Sequence, residues 1–447
     1  MVTLPNIGLF DIGLSIVYLV IIYFIAFRYQ QSKIENNPEY RYFLFGLSAK
    51  LIGSIAFVLI SLYYYEKGDT FLYFQIAEDL RVHFFIDFNE TLATFFTSYS
   101  GLGGLEFSPL EQYNYYYERT SSWDFGRLVF VFNFISFGSY LVSSILMGVV
   151  SFLGLWLGYS VLCELYKQAT KLFLIPFFLI PTALIWSSGI LKDTIIIGTI
   201  GLLIFSFSKI FIFRKGVLLN GLIIVLSIYL LLLFRPILLF VLIPSFLFWG
   251  LLYLTEPIKN KLIKVVARAT IVIGIICLGW VVNQSFASET SKYRVQNLMK
   301  TLWGFQSFHS MEQFSEGQNV YTLGGIMSTP QEVIKNIPEA IVVTFFRPYL
   351  WEVNNASMFL GGVESFLILI IVIYIIVVRR KTIIKTLIYN NEVIFMMVFS
   401  LTYSFIVGVS AYNFGALSRY KVPSILFLLV GFIICYIEES NNLEKVE

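Results

Sequence analysis

Apolar runs of about 20 residues, almost free of charge, recur along this 447-residue chain. A helix of that length crosses the hydrocarbon core of a bilayer. We place the runs at about 9–27, 43–64, 141–163, 171–188, 190–213, 216–234, 236–254, 269–286, 358–378, 391–411 and 422–437. In hydrocarbon every backbone N–H and C=O must be paired within the segment, and runs of this kind therefore read as helices. The expectation is an all-α integral membrane protein with about eleven transmembrane helices, a single transmembrane domain over residues 1–447. Composition removes the soluble alternative: 57% of residues are hydrophobic and 13% charged, against about 25% charged in soluble domains. Disorder and a disulfide scaffold are excluded by the same figures. The first run lacks the basic region and small-residue cleavage site of a signal peptide, so it is expected to stay attached as a span.

Lysines and arginines crowd one set of connections: Arg28, Lys33 and Arg41, Lys167 and Lys171, Lys209 to Lys215, Lys259 to Arg268, and Arg379 to Lys385. The short connections on the other side hold only Lys192, Arg235, Arg419 and Lys421. Positive charge marks the cytoplasmic side. The N-terminus is accordingly expected outside and the C-terminus in the cytoplasm. Two long segments, about 65–140 and 287–357, then fall on the outer face. Both are dense in aromatics, and Leu80 to Phe85, Tyr113 to Tyr117 and Trp303 to Phe308 read as helices lying at the interface. Thr329-Pro330-Gln331-Glu332 has the form of a capping box opening a helix through Lys335, which is expected to rest on the membrane and run into Phe345 and Phe346.

The exceptions to the charge bias are the most informative residues. Arg235 sits in Phe234-Arg235-Pro236, Arg347 in Phe346-Arg347-Pro348, Arg419 and Lys421 in Ser418-Arg419-Tyr420-Lys421, and Lys192 in a short turn before Asp193. Charge in apolar sequence near a membrane is costly to keep and marks function. Guanidinium groups hold phosphate bidentately, more strongly where water is partly excluded. Lys192, Arg235, Arg347, Arg419 and Lys421 therefore form a candidate phosphate-binding set. The bland alternative is that each snorkels to headgroups or pairs with Asp193 or Glu352.

A carboxylate complements these cations. The second span ends in Tyr65-Glu66-Lys67-Gly68-Asp69, where Gly68 allows a turn and Asp69 can cap the helix that follows. Tyr73, Ile76, Ala77 and Leu80 then share one helical face, suited to packing on the spans. Asp69, held at the rim, could take a proton from an attacking sugar hydroxyl, which makes it the candidate catalytic residue. Taken alone it also fits a plain helix cap. Glu66, Tyr73, Asp193 and Glu352 are candidate supporting residues. Cys163, Cys277 and Cys435 share no short spacing, and His83 and His309 are the only histidines. No metal-ligand set is expected, although a divalent cation stays open as a cofactor. A net charge of +3 offers no nucleic-acid footprint.

The stretch Asp69-x-x-x-Tyr73-x-x-Ile76-Ala77-x-x-Leu80 resembles the first outer loop of the GT-C glycosyltransferases, multi-pass enzymes that use polyprenyl-phosphate or polyprenyl-diphosphate sugars. The resemblance implies a catalytic base at Asp69, a lipid-linked sugar donor, an outer-face acceptor (glycan, lipid or protein), and a place in the cytoplasmic membrane of a bacterium building its envelope. Gly415 to Lys421 followed by Pro423 is similar to a feature of O-antigen-type polysaccharide polymerases, which implies the same substrate class. Transfer with inversion or retention is left open. The competing classes are a transporter or flippase for lipid-linked sugars, expected to carry charges within its spans, and a non-catalytic envelope scaffold. The absence of a visible internal repeat weighs against the inverted-repeat transporter.

Overall fold

The computed structural model of the chain describes residues 4–96, 120–260, 262–263, 266–268, 270, 273–274, 297–316, 319–325 and 327–438. Helices run in the order α1 Leu9–Lys33, α2 Phe43–Ile60, α3 Asp69–Phe84, α4 Phe88–Phe96, α5 Thr120–Ile135 and α6 Tyr140–Leu165. Next come α7 Thr170–Leu174, α8 Pro181–Trp186, α9 Lys192–Phe207, α10 Val217–Phe234 and α11 Pro236–Leu254. The remainder holds α12 Leu298–Glu316, α13 Pro330–Lys335, α14 Ile337–Phe346, α15 Ala356–Val378, α16 Ile383–Tyr389, α17 Asn391–Ala411, α18 Phe414–Tyr420 and α19 Val422–Ile437. No strand occurs among the described residues, only the isolated bridge between Val320 and Asn413.

Eight helices among the described residues are long and apolar enough to cross a membrane, or nine if α18 and α19, bent by 53°, form one span. This multi-pass helical character agrees with the sequence, but the number falls short of eleven. The 269–286 run lies almost wholly outside the described residues, as does Tyr113 to Tyr117. The 171–188 run is described and is not one helix. Proline offers no N–H to a helical ladder and pushes the residue before it toward extended backbone. Ile180, before Pro181, has ψ 116°, and the run divides into α7, a π-helical turn at Ile175–Leu179, and α8.

The chain forms two compact units, each assembled from separate stretches. The first comprises Met1–Ser160, Leu184–Leu202 and Tyr229–Phe234. Here α3 packs along α5, burying Tyr73, Ile76, Ala77 and Leu80 as the helical spacing requires. The crossing is tight at Gly126, where a Cβ would stand 2.4 Å from the Ile76 side chain. Leu80 to Phe85 is the end of this α3 and its C-cap, not a separate interfacial helix. The beginning of α9 crosses α6 through glycines. A Cβ on Gly154 would lie 2.2 Å from the Gly198 carbonyl oxygen, and one on Gly201 2.2 Å from that of Gly154. Small residues of this kind let membrane helices touch backbone to backbone. Tyr40, Phe43, Phe152 and Trp156 close the other end in an edge-to-face cluster, an arrangement that aromatic quadrupoles favour.

The second unit comprises Val161–Ala183, Leu203–Ile228 and Arg235–Glu447. At its centre α17 is packed by α11, α14 and α19. Trp249 stacks on Phe395 with ring centroids 4.6 Å apart, and Phe399 meets Phe427 at 4.4 Å. Gly408 brings α17 against α14, since a Cβ there would stand 2.2 Å from the Ala340 carbonyl oxygen. Thr329 caps α13 as its sequence indicates, its hydroxyl accepting from Glu332 N. The helix then stops at Asn336, and Pro338 opens α14. With Ala340, Val343, Thr344 and Phe345 buried, α14 belongs to the core of this unit and does not rest on a surface as expected. Trp303 to Phe308 lies inside α12, where Gln306 donates to Val409 O at 3.2 Å and accepts from Met327 N at 2.8 Å.

Candidate functional site

The candidate residues fall in two groups, one in each unit. In the first, a π-helical turn Ser61–Tyr65 ends at Glu66, which is exposed and left-handed at φ 50°. Gly68, at φ 138°, takes a conformation open to glycine alone and starts α3 directly. Gly68 is thus the N-cap, and Asp69 is the first helical residue, which corrects the expectation that Asp69 does the capping. Its carboxylate is exposed and adds negative charge to the first turn, where the helix dipole favours it. Thr70 is buried and shares a 2.8 Å hydrogen bond with the Tyr140 hydroxyl, tying the helix start to α6.

Tyr73 follows Asp69 by four residues, so the two lie one above the other on the same face. The Tyr73 ring is buried, meets Phe125 edge-on at 4.7 Å, and carries the Lys192 ammonium at 5.2 Å from its centroid. Lys192 opens α9 and donates to Ser121 Oγ at 3.0 Å. Asp193 beside it is buried in the first turn of α9. Of the expected residues, Tyr73 and Lys192 are thereby brought into contact, and Asp69 stands one helical turn before Tyr73.

In the second unit Arg235 is the N-cap of α11 and stacks its guanidinium 4.3 Å from the centroid of Tyr420. Arg419 precedes that tyrosine in α18 and is half-buried. Arg347 donates through Nε to Glu352 Oε2 at 3.0 Å and through Nη2 to Glu352 Oε1. The same guanidinium lies over Tyr321, Tyr349 and Phe414 at 5.8, 5.8 and 5.5 Å. A planar cation so framed is fixed in direction, with Nε and Nη2 turned to Glu352. Glu352 also accepts from Tyr349 N at 2.8 Å, so it is the orienting partner of Arg347.

Lys421 is placed differently. Only 1% exposed, it donates to Ser365 Oγ at 2.9 Å, and Ser365 Oγ donates to Arg347 O at 3.1 Å. Its opposite charge is Glu364, which accepts from Thr182 N at 2.8 Å and Thr182 Oγ1 at 2.7 Å. An ammonium enclosed in this way supports, through Ser365, the backbone that carries Arg347.

Several polar residues escape a reading based on loops. Lys50 in α2, Glu364 and Ser365 in α15, and Glu392 in α17 are all buried in helices suited to cross the membrane. Glu392 accepts from the hydroxyls of Tyr166, at 3.1 Å, and Tyr253. The signal for Lys50 and Glu364 is a single charge inside an apolar run, and for Glu392 a charge at the end of one. Among the described residues no group of three or more His, Cys, Asp and Glu side chains could hold a metal ion.

No protein-family model, no curated protein and no solved structure matches this chain.

Proposed function

We propose that the chain is a membrane glycosyltransferase acting on a polyprenyl-phosphate- or diphosphate-linked sugar. The observation that supports this reading is the Lys192 ammonium held over the Tyr73 ring, one helical turn after the exposed Asp69. A solvent-exposed carboxylate has the chemistry to accept a proton from an acceptor hydroxyl, and a lysine held on an aromatic face has the charge to hold a phosphate. Arg235, Arg347 and Arg419 are the candidate donor-phosphate ligands of the second unit, and Lys421 with Ser365 positions Arg347. As the acceptor oxygen attacks the sugar C1, its proton passes to Asp69, the C1–O bond breaks, and the lipid phosphate leaves with the bonding pair. Whether the donor carries one sugar or an oligosaccharide, as in a polysaccharide polymerase, depends on the acceptor site.

The test uses purified protein in bilayer nanodiscs with radiolabelled polyprenyl-linked sugars and scores glycosylated product. Asp69→Asn is expected to lower turnover by about three orders of magnitude, within the range of lost general-base catalysis, with donor binding retained. Wild-type turnover in that variant defeats the catalytic role.

A second reading, a translocator of lipid-linked sugars, is favoured by the buried charges Lys50, Glu364 and Glu392 within helices suited to span. Reconstituted in vesicles, a translocator moves labelled donor between leaflets and forms no new glycosidic bond. Product without translocation supports the transferase, and the reverse outcome supports the translocator.

A further inference from the structure

Lys50 is a fully buried charge of the first unit. It is 1% exposed in the middle of α2, and all three N–H donors of its ammonium find oxygen. Nζ donates to Ser187 O at 2.6 Å, Ser187 Oγ at 2.6 Å and Ser151 Oγ at 3.2 Å. None of these partners is a carboxylate. They are one backbone carbonyl and two hydroxyls, the neutral hard oxygens that take alkali-metal ions where a membrane helix is interrupted.

A break between two helices lies against Lys50. Between α8 and α9 the chain leaves the helix at Ser187-Ser188-Gly189-Ile190-Leu191. The break presses against α2 through small residues. A Cβ on Gly53 would meet Leu184 O at 2.7 Å and Ser188 Oγ at 3.0 Å, and one on Gly148 would meet Ser54 Oγ at 2.1 Å. Ser54 Oγ donates to Ser188 O at 2.7 Å. A further oxygen, Ser188 Oγ, is fully buried beside Gly53 and has no hydrogen-bond partner among the described residues. A buried oxygen without a partner thus stands one residue after Ser187, the lysine's principal ligand.

We infer that this oxygen cluster is a monovalent-cation site, of the sodium class, that the Lys50 ammonium fills as a tethered cation. The lysine holds the break closed and so fixes the start of α9, where Lys192 stands five residues after Ser187. The protein then needs no free alkali ion to keep this geometry. The inference is independent of the reaction proposed above.

Removing the ammonium leaves the acceptors in place and sodium able to enter. The experiment measures thermal unfolding of full-length wild type and Lys50→Ala in nanodiscs, in sodium chloride and in N-methylglucamine chloride at equal ionic strength. Wild type is expected to unfold at one temperature in both salts. Lys50→Ala is expected to unfold earlier in N-methylglucamine and to regain on the order of 3 °C or more in sodium, the shift expected of a ligand bound only to the folded state. Lys50→Ala/Ser187→Ala, lacking one ligand, loses most of the sodium response. Lys50→Ser, whose hydroxyl can join the ligands, serves as the second single variant. The inference fails if neither single variant responds to sodium, if wild type responds equally, or if the double variant keeps the full response. Failure of both single variants to fold in sodium also overturns it, since sodium is then no substitute for the ammonium.

Discussion

Asp79 shows how far a single side chain can be placed against its own chemistry. It follows Glu78, which is committed to Arg81 through Nε at 3.0 Å, and its Oδ2 is buried without a hydrogen-bond partner among the described residues. Burial, then the negative charge of Glu78, pushes its carboxyl up to about 6. A carboxyl raised above its unfolded value binds an extra proton when folded, so its cost is absent at low pH and appears as pH rises through about 6. Asp79→Asn is expected to unfold at higher temperature than wild type at pH 7.5, with the gap closing toward pH 4.5, in parallel thermal scans. The sequence marks Glu78 and Asp79 only as charges on a helix. Which of them is solvated depends on α5 packing across α3, a contact between segments far apart in the chain. Asp69 and Tyr73 are different, because their spacing within one helix already puts them on a common face. Lys192 over Tyr73 and Ser365 beneath Lys421 join residues more than fifty positions apart, and local periodicity carries no sign of either.

At the level of elements, the apolar runs gave most helix positions because a span must pair its own backbone. They erred at 171–188, where hydropathy is indifferent to Pro176 and Pro181 and only their missing N–H groups tell that the helix breaks. Lys50, Glu364 and Glu392 leave no mark on hydropathy for the opposite reason, since one charge hardly lowers the mean of a long apolar window. The glycine crossing of α6 and α9 makes a prediction of its own. Gly154→Leu forces side-chain atoms onto the Gly198 carbonyl and is expected to cost about 3 kcal/mol or to abolish folding, the upper end of overpacking effects. Gly221→Ala in α10, where a Cβ would meet nothing within 4 Å, is expected to be neutral or slightly stabilising. Thermal unfolding of the two variants in the same detergent separates them.

For the whole molecule, the charge bias predicts an orientation that can be tested. A cysteine introduced in place of Lys381 is expected to resist a membrane-impermeant maleimide applied from outside, whereas one in place of Lys67 reacts in a background with the native cysteines replaced. Labelling in the opposite pattern reverses the orientation and puts Asp69 on the wrong face for an outer-leaflet donor. Two compact units, each discontinuous in sequence, were invisible to a reading by runs, because α6, α9 and α10 each contribute to both.

The meeting of Gly154 with Gly198 has a mechanical side. Where two helices touch through side chains, rotamers can change and the pair can slide. Here peptide backbone bears on peptide backbone, with no layer between to yield. A tilt of α6 must carry the beginning of α9 with it, and with α9 goes Lys192. The polar end of this assembly therefore inherits the stiffness of its apolar middle, and a substitution in the membrane interior can be felt at Lys192 without any change in charge.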